Sequence, residues 1–254
     1  MRPAFNARST DNDKPTHRED TPVHSNDLLE TLKSFDTPTI CNALEIVAPE
    51  RRLTGFTTKH LECPFPDLPP IVGYARTATI RTTHASELNS KDARKQRIAY
   101  YEYVASKPGP TITVIQDLDG ADVGFGAFWG EVQSAVHKGL GCLGVVTDGC
   151  IRDIPQWAPG FQALAGSIAP SHAHVHLAAF GKEVRVSGML VRSGDLVHAD
   201  RHGAVVIPHD AAAKIQAACD LLTRKEAVIL DIARKPGFNV EQLAAALQKM
   251  DEIH

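Results

Sequence analysis

Hydrophobic positions along the chain follow two periods, one near 3.6 residues and one near 2, and each change of period marks an element boundary. In SNDLLETLKSF, residues 25–35, a serine able to cap precedes Leu28, Leu29 and Leu32, which predicts a helix starting near Ser25. A second short helix is expected after Asp36-Thr37-Pro38, carrying Ile40, Ala43 and Leu44. IVGYARTATIRTT, residues 71–83, alternates as a strand does, and the β-branched run TITVIQ, residues 111–116, also predicts a strand. The stretch between them, ELNSKDARKQRIAYYEYVASKPG, is charged and then aromatic, and predicts a helix ending in a loop at Pro108-Gly109.

The middle of the chain alternates element types. GADVGFGAFWG, residues 120–130, predicts a glycine-rich loop, and the segment from Glu131 to Lys138 places Val132, Ala135 and Val136 on one helical face, with Gly139 suited to the C-terminal cap. CLGVVT, residues 142–147, is a buried-type strand closed by an Asp148-Gly149 turn. Further on, VRVSGMLVRSGDLVHADRHGAVVIP predicts hairpins turning at Ser193-Gly194-Asp195 and at Arg201-His202-Gly203. A long amphipathic helix from about Asp210 to Ala233 and a shorter one after Asn239 complete the chain. Residues 1–24 form a polar, proline-containing segment expected to be a mobile tail, so residues 25–254 are expected to be a single domain. No fixed-period repeat is visible.

Charge and cysteine content narrow the function classes. With 27 Lys plus Arg against 30 Asp plus Glu, the 254-residue chain has a formal net charge of -3, which offers no basic footprint for nucleic acid or a membrane surface. Partners are therefore expected to be small molecules or further copies of the chain. The five cysteines are odd in number and form no C-x-x-C pair, the pattern of reduced thiols in a cytoplasmic protein. Neither a membrane-spanning run nor the apolar stretch of a signal peptide is present.

Glu131 and the adjacent pair Arg152 and Asp153 stand twenty residues apart, with a helix and a strand between them. A helix packed antiparallel on the next strand returns the chain to the same sheet edge, so these residues are expected to meet there, where α/β proteins bind ligands. Two carboxylates are hard oxygen ligands suited to Mg²⁺ or Mn²⁺. Arg152 adds a fixed cationic fork for a carboxylate or a developing oxyanion. The glycines at 120, 124, 126 and 130 allow close backbone approach, and the first helical turn offers free N–H groups to an anion. Together these parts describe a site for a 2-oxo acid, able to stabilise an enolate. Each part has a plainer reading: Asp153 before Ile154-Pro155 also suits a helix N-cap, Arg152 a surface ion pair, and Glu131 the favourable end of a helix dipole. The glycines match neither a dinucleotide fingerprint nor a P-loop.

GEVQSAVHKGLGCLGVVTDGCIRD and SGDLVHADRHGAVVIP resemble the core segments of the RraA-like family, which includes class II 4-hydroxy-4-methyl-2-oxoglutarate aldolases that also decarboxylate oxaloacetate. The resemblance covers roughly residues 28–235, with Ser193 where proline is common. It implies an α/β-layered β/β/α fold of the swivelling, phosphohistidine-domain-like type with C-terminal helices. It also implies that backbone N–H groups of Gly130, Glu131, Val132 and Gln133 contact a pyruvate unit, that Arg152 binds substrate, and that Asp153 holds the divalent metal. Trimers or hexamers are implied, with a further acid from a neighbouring chain for which Glu226 is a weak candidate. RraA itself resembles the aldolases yet is known as a protein-binding inhibitor of an RNA-processing enzyme, so a regulator is the alternative. His172, His174 and His176 in SHAHVHL would share one face of a strand, which suggests a substrate-pocket or subunit-interface role ahead of a second metal.

Overall fold

The computed structural model describes residues 21–253. Most of the segment expected to be a tail, residues 1–20, lies outside the described residues. Within it, His24 is seated on the body of the protein: its N–H donates to the Tyr74 hydroxyl at 2.7 Å and its ring lies 2.9 Å from His209.

The helices among the described residues are α1 (Asn26–Lys33), α2 (Thr37–Val47), α3 (Ser90–Val104), α4 (Glu131–Gly139), α5 (Ile215–Ala233) and α6 (Val240–Asp251). The strands are β1 (Ile71–Arg81), β2 (Thr111–Asp117), β3 (Ala127–Trp129), β4 (Cys142–Thr147), β5 (Cys150–Ile151), β6 (Gln162–Leu164), β7 (Ser167–Ile168), β8 (His176–Phe180), β9 (Val184–Val186), β10 (Met189–Val191), β11 (Leu196–Asp200) and β12 (Gly203–Ile207). Ser25, Asp36 and Asn89 cap α1, α2 and α3 by accepting from backbone N–H groups of the first turns. These side chains are the local reason the three helices begin where they do.

The main sheet runs β12-β11-β1-β2-β4-β6, and β8 also pairs with β1. β1 is buried along all but its last residue because it is central and both of its faces are covered. Tyr74, Ala78 and Ile80 face the helices: α1, α2 and α5 at one end of the strand, α3 at the other. Ala75, on the opposite face, joins Ile112, Val114 and Val146 under the β9-β10 hairpin. The result is a hairpin layer, a sheet layer and a helix layer, the expected β/β/α order. α5 and α6 form the C-terminal helical pair, with a capping box at Asn239 opening α6.

Two expectations change. The turn expected at Ser193-Gly194-Asp195 does not close a hairpin: β10 pairs with β9, whereas β11 pairs with β1 and β12. The hairpin turns instead at Ser187 and Gly188, both at positive φ (46° and 91°), the requirement of a tight two-residue turn. The glycine-rich stretch is likewise more than a loop, since Ala127–Trp129 forms the first strand of a small parallel sheet, β3-β5-β7. The hairpin at Arg201-His202 is as expected.

Candidate active site

The small sheet explains how Glu131 and Arg152, with twenty residues between them, meet. β3 and β5 are adjacent and parallel, with Trp129 opposite Ile151, so Gly130 and Arg152 follow the same ends of neighbouring strands. The Arg152 N–H donates to the Trp129 carbonyl at 2.9 Å and continues the ladder by one step. The return runs through α4 and β4 as anticipated, and the Asp148-Gly149 turn then directs the chain into β5.

At this corner the Asp153 side chain occupies the space beside Gly130. A Cβ on Gly130 would stand 2.5 Å from Asp153 Oδ2 and 3.3 Å from Arg152 Cγ. Asp153 does not cap the following turn, contrary to the plainer reading of it. Its backbone is left-handed (φ 56°, ψ 38°), a conformation of non-glycine residues often found at functional sites, and its side chain makes no cap bond there. The carboxylate instead faces α4, where the Glu131 N–H lies 3.4 Å from Oδ2. Gly130 has no side chain with which to cap α4, so the carboxylate occupies the positive end of that helix. Among the described residues, the Val132 and Gln133 N–H groups and Asp153 Oδ1 have no hydrogen-bond partner. Arg152 Nε is 3.5 Å from Asp153 Oδ2, a long contact between two side chains each about one-third exposed (35% and 38%).

These groups open onto a cavity of about 390 Å³. One wall is Gly130, Val132, Gln133, Arg152 and Asp153. The other consists of Ser86, the α3 residues Ala93, Gln96 and Arg97, and the segment bearing His172, Val175 and His176. Phe128 and Leu177 add apolar surface. The Glu131 side chain is exposed and not part of this lining, so its contribution at the cavity edge is its backbone. Glu226 lies exposed on α5, outside the lining.

The histidines do not share a strand face. Ala173 is left-handed (φ 46°) and the Val175 N–H donates back to the His172 carbonyl, so the chain turns before β8 and only His176 begins the strand. His172 and His176 still reach the cavity, and His174 does not line it. Their Nδ1 atoms lie 2.8 and 2.9 Å from the carbonyls of Ala173 and His174. A carbonyl only accepts, so Nδ1 of each ring is the donor.

Beneath the site, Tyr100, His137 and Gln133 form a buried chain. His137 Nδ1 donates to the Gln133 carbonyl at 2.7 Å and its Nε2 accepts from the Tyr100 hydroxyl at 2.8 Å. Burial drives the His137 pKa down to about 4, which keeps the ring neutral and the direction of both bonds defined. Burial also raises Asp148, on the turn before β5, to about 6. The cysteines are all free thiols. No helix of the described residues is long and apolar enough to cross a membrane.

The contribution of α3 was missed in the sequence. Its signal was present in the spacing of Ala93, Gln96 and Arg97, one helical face ahead of Tyr100 and Tyr101, but nothing local indicates which face meets a cavity.

A divalent cation was expected at Asp153. Among the described residues no three or more His, Cys, Asp or Glu side chains cluster as a metal cage. The donor set suits Mg²⁺ or Mn²⁺ all the same, because such ions are commonly held by one or two carboxylates and otherwise by water and substrate. Asp153 offers a hard oxygen at the cavity wall, and no cysteine lines the cavity.

The chain matches the RraA-like family, described as Aldolase/RraA, over residues 37–206, and it belongs to that family. An uncharacterized protein of Methanocaldococcus jannaschii is 33% identical over 91 residues, covering 35% of this chain and 44% of that protein, so the match spans less than half of that relative. A protein of Albidiferax ferrireducens named "Putative 4-hydroxy-4-methyl-2-oxoglutarate aldolase" is 30% identical over 121 residues, 46% of this chain and 67% of that one. In three dimensions, an uncharacterized protein of Pseudomonas syringae pv. tomato superposes with a TM-score of 0.67 at 18% identity, over 91% of this chain and 98% of its own. Streptomyces coelicolor RraAS2, described as an unusual member of the RNase ES inhibitor RraA protein family, gives 0.63 at 25% identity over 80% of this chain and 95% of its own. The fold is that of RraA proteins, and the family includes both aldolases and RraA regulators.

Proposed function

We propose that this protein is a divalent-metal-dependent carbon–carbon lyase, an aldolase or decarboxylase acting on a 2-oxo acid through the enolate of its pyruvate unit. The observation that carries this reading is the convergence of Arg152, Asp153 and the open first turn of α4 on one cavity wall, with Gly130 permitting the approach. Asp153 would hold Mg²⁺ or Mn²⁺, which supplies Lewis-acid polarisation of the 2-oxo carbonyl when bound. The Val132 and Gln133 N–H groups suit the substrate carboxylate, and the helix dipole adds to their attraction. Arg152 then stands where negative charge grows on the 2-oxo oxygen. When the bond from C3 to the departing carbon breaks, that carbon leaves as CO2 or, with its hydroxyl proton passed to water, as a carbonyl; the electron pair enters the enolate, and a proton from water at C3 yields pyruvate. Arg152 stabilises the transition state more than the ground state because its partner becomes an oxyanion only as that bond breaks.

Homo-oligomeric assembly, as a trimer or hexamer, accords with exposed apolar side chains near the cavity mouth, including Val132 (68% exposed). The first test is oxaloacetate decarboxylation by purified protein with Mg²⁺, with Mn²⁺ and after chelation. Asp153→Asn, which tolerates the left-handed backbone while removing the charge, should abolish metal-dependent turnover and leave the fold intact. No turnover by the wild type with either metal would favour the protein-binding regulator.

A further inference from the structure

Gln133, in the first turn of α4, lines the cavity, and its side chain reaches across to α3. The Tyr101 hydroxyl, on α3, donates to Gln133 Oε1 at 3.1 Å. As the acceptor of this bond, Oε1 faces Tyr101, and Nε2 is turned the other way. The Nε2 group is left with two N–H donors and no partner among the described residues. Tyr101 is itself fixed: its ring meets His137 edge-on at 5.7 Å and packs against Tyr100 at 5.6 Å, and both of those side chains are buried. The neighbouring chain from Tyr100 through His137 to the Gln133 carbonyl holds the backbone of the same residue. Gln133 is thus held from α3 at both its backbone and its side chain.

We propose that Tyr101 is a positioning residue that orients the Gln133 amide, so that Nε2 donates to an oxygen of the bound 2-oxo acid. The proposal rests on the lyase reading above and assigns a side-chain donor to it. An oriented amide at this point of the lining discriminates acceptor oxygens of the substrate from apolar groups. Arg97, one turn before Tyr101 on the same face, also lines this wall.

A double-variant cycle separates this role from simple packing. Tyr101→Phe keeps the ring contacts and removes only the hydroxyl, Gln133→Ala removes the amide, and the third protein carries both changes. Binding of oxalate, a planar dianion shaped like the pyruvate enolate, is measured by calorimetry with Mg²⁺, alongside KM and kcat for oxaloacetate. Loss of one hydrogen bond corresponds to about 3- to 10-fold in affinity. Tyr101→Phe should therefore raise Kd and KM by that factor with a much smaller change in kcat, and it should add nothing in the Gln133→Ala background. Additive losses would show that Tyr101 acts elsewhere and overturn the proposal, as would unchanged oxalate binding in Gln133→Ala. A wild type that binds oxalate and shows the non-additive pattern without turnover would overturn the lyase reading and leave this one standing. A wild type that neither binds oxalate nor turns over oxaloacetate would overturn both.

Discussion

Gly130→Ala separates the geometry of the site from the stability of the fold. The backbone at Gly130 is extended (φ -165°, ψ -161°), so alanine adopts it without strain, and the whole effect comes from the added methyl group. That methyl would lie 2.5 Å from Asp153 Oδ2, and ordinary contact begins near 3.4 Å, so the carboxylate must retreat by about 0.9 Å. Asp153 can make that move because its side chain is 38% exposed and borders the cavity. Overpacking costs about 1–3 kcal/mol and a compatible Gly→Ala change returns about 0.4–1, so net destabilisation should be no more than about 2.6 kcal/mol. A misplacement of about 1 Å in catalytic geometry, by contrast, costs on the order of 100-fold in rate. Initial rates of oxaloacetate loss across a Mg²⁺ titration, with urea unfolding of the same samples, measure both quantities. A variant within about threefold of the wild-type rate and metal response would refute the claim that Asp153 acts from this position. A variant that unfolds would place Gly130 in core packing instead.

Arg152→Ala should lower the rate of oxaloacetate decarboxylation by roughly 100- to 1000-fold, and Arg152→Lys should recover it only partly, because an ammonium lacks the planar fork. Full recovery in steady-state assays of the lysine variant would mean that a point charge suffices. His172→Ala and His176→Ala should weaken action on larger 2-oxo acids more than on oxaloacetate, while His174→Ala, outside the lining, should affect neither; equal losses on all substrates with a shift to smaller oligomers in sedimentation would assign the histidines to assembly. His137 is held neutral with a pKa near 4 against 6.5 in the unfolded chain, so its contribution is complete above pH 6.5 and is lost as pH falls toward 4, by roughly 2 kcal/mol at pH 5. Asp148, raised to about 6, acts in the opposite direction because the folded state takes up its proton first. Comparing urea unfolding of wild type and His137→Gln cancels the Asp148 part, and the stability gap between them should narrow by that amount from pH 7.5 to pH 5; a constant gap would show that His137 is not held neutral.

What the sequence alone determined is what neighbouring residues decide among themselves. The cap at Ser25, the start of α2 after Asp36, the helical spacing of α4 and the β-branched run of β2 are local patterns, and each element lies where its pattern placed it, although Val132 and Ala135 of the expected apolar face of α4 are exposed and Ser134 and His137 are its buried residues. The return of Glu131 to the Arg152-Asp153 pair was also legible, because a helix and a strand of known lengths must bring the chain back to one edge, but it is the Glu131 N–H that meets Asp153 while its side chain is exposed and outside the cavity lining. Tertiary structure decided the rest through contacts between distant residues. Which strands pair with the β9–β10 segment depends on the opposite faces of β1, so the hairpin turn moved from Ser193 to Ser187. The left-handed turn at Ala173 removed two of three histidines from a strand that alternation alone would have extended, and Gly126 beside it is crowded by the His172 carbonyl at 2.7 Å from where a Cβ would stand. The orientation of Asp153 toward α4 and away from its own following turn is set by a left-handed backbone that no sequence period records. The cavity wall on α3 is likewise invisible from within the helix, because which face of a helix meets a site is settled only by what packs on its other sides.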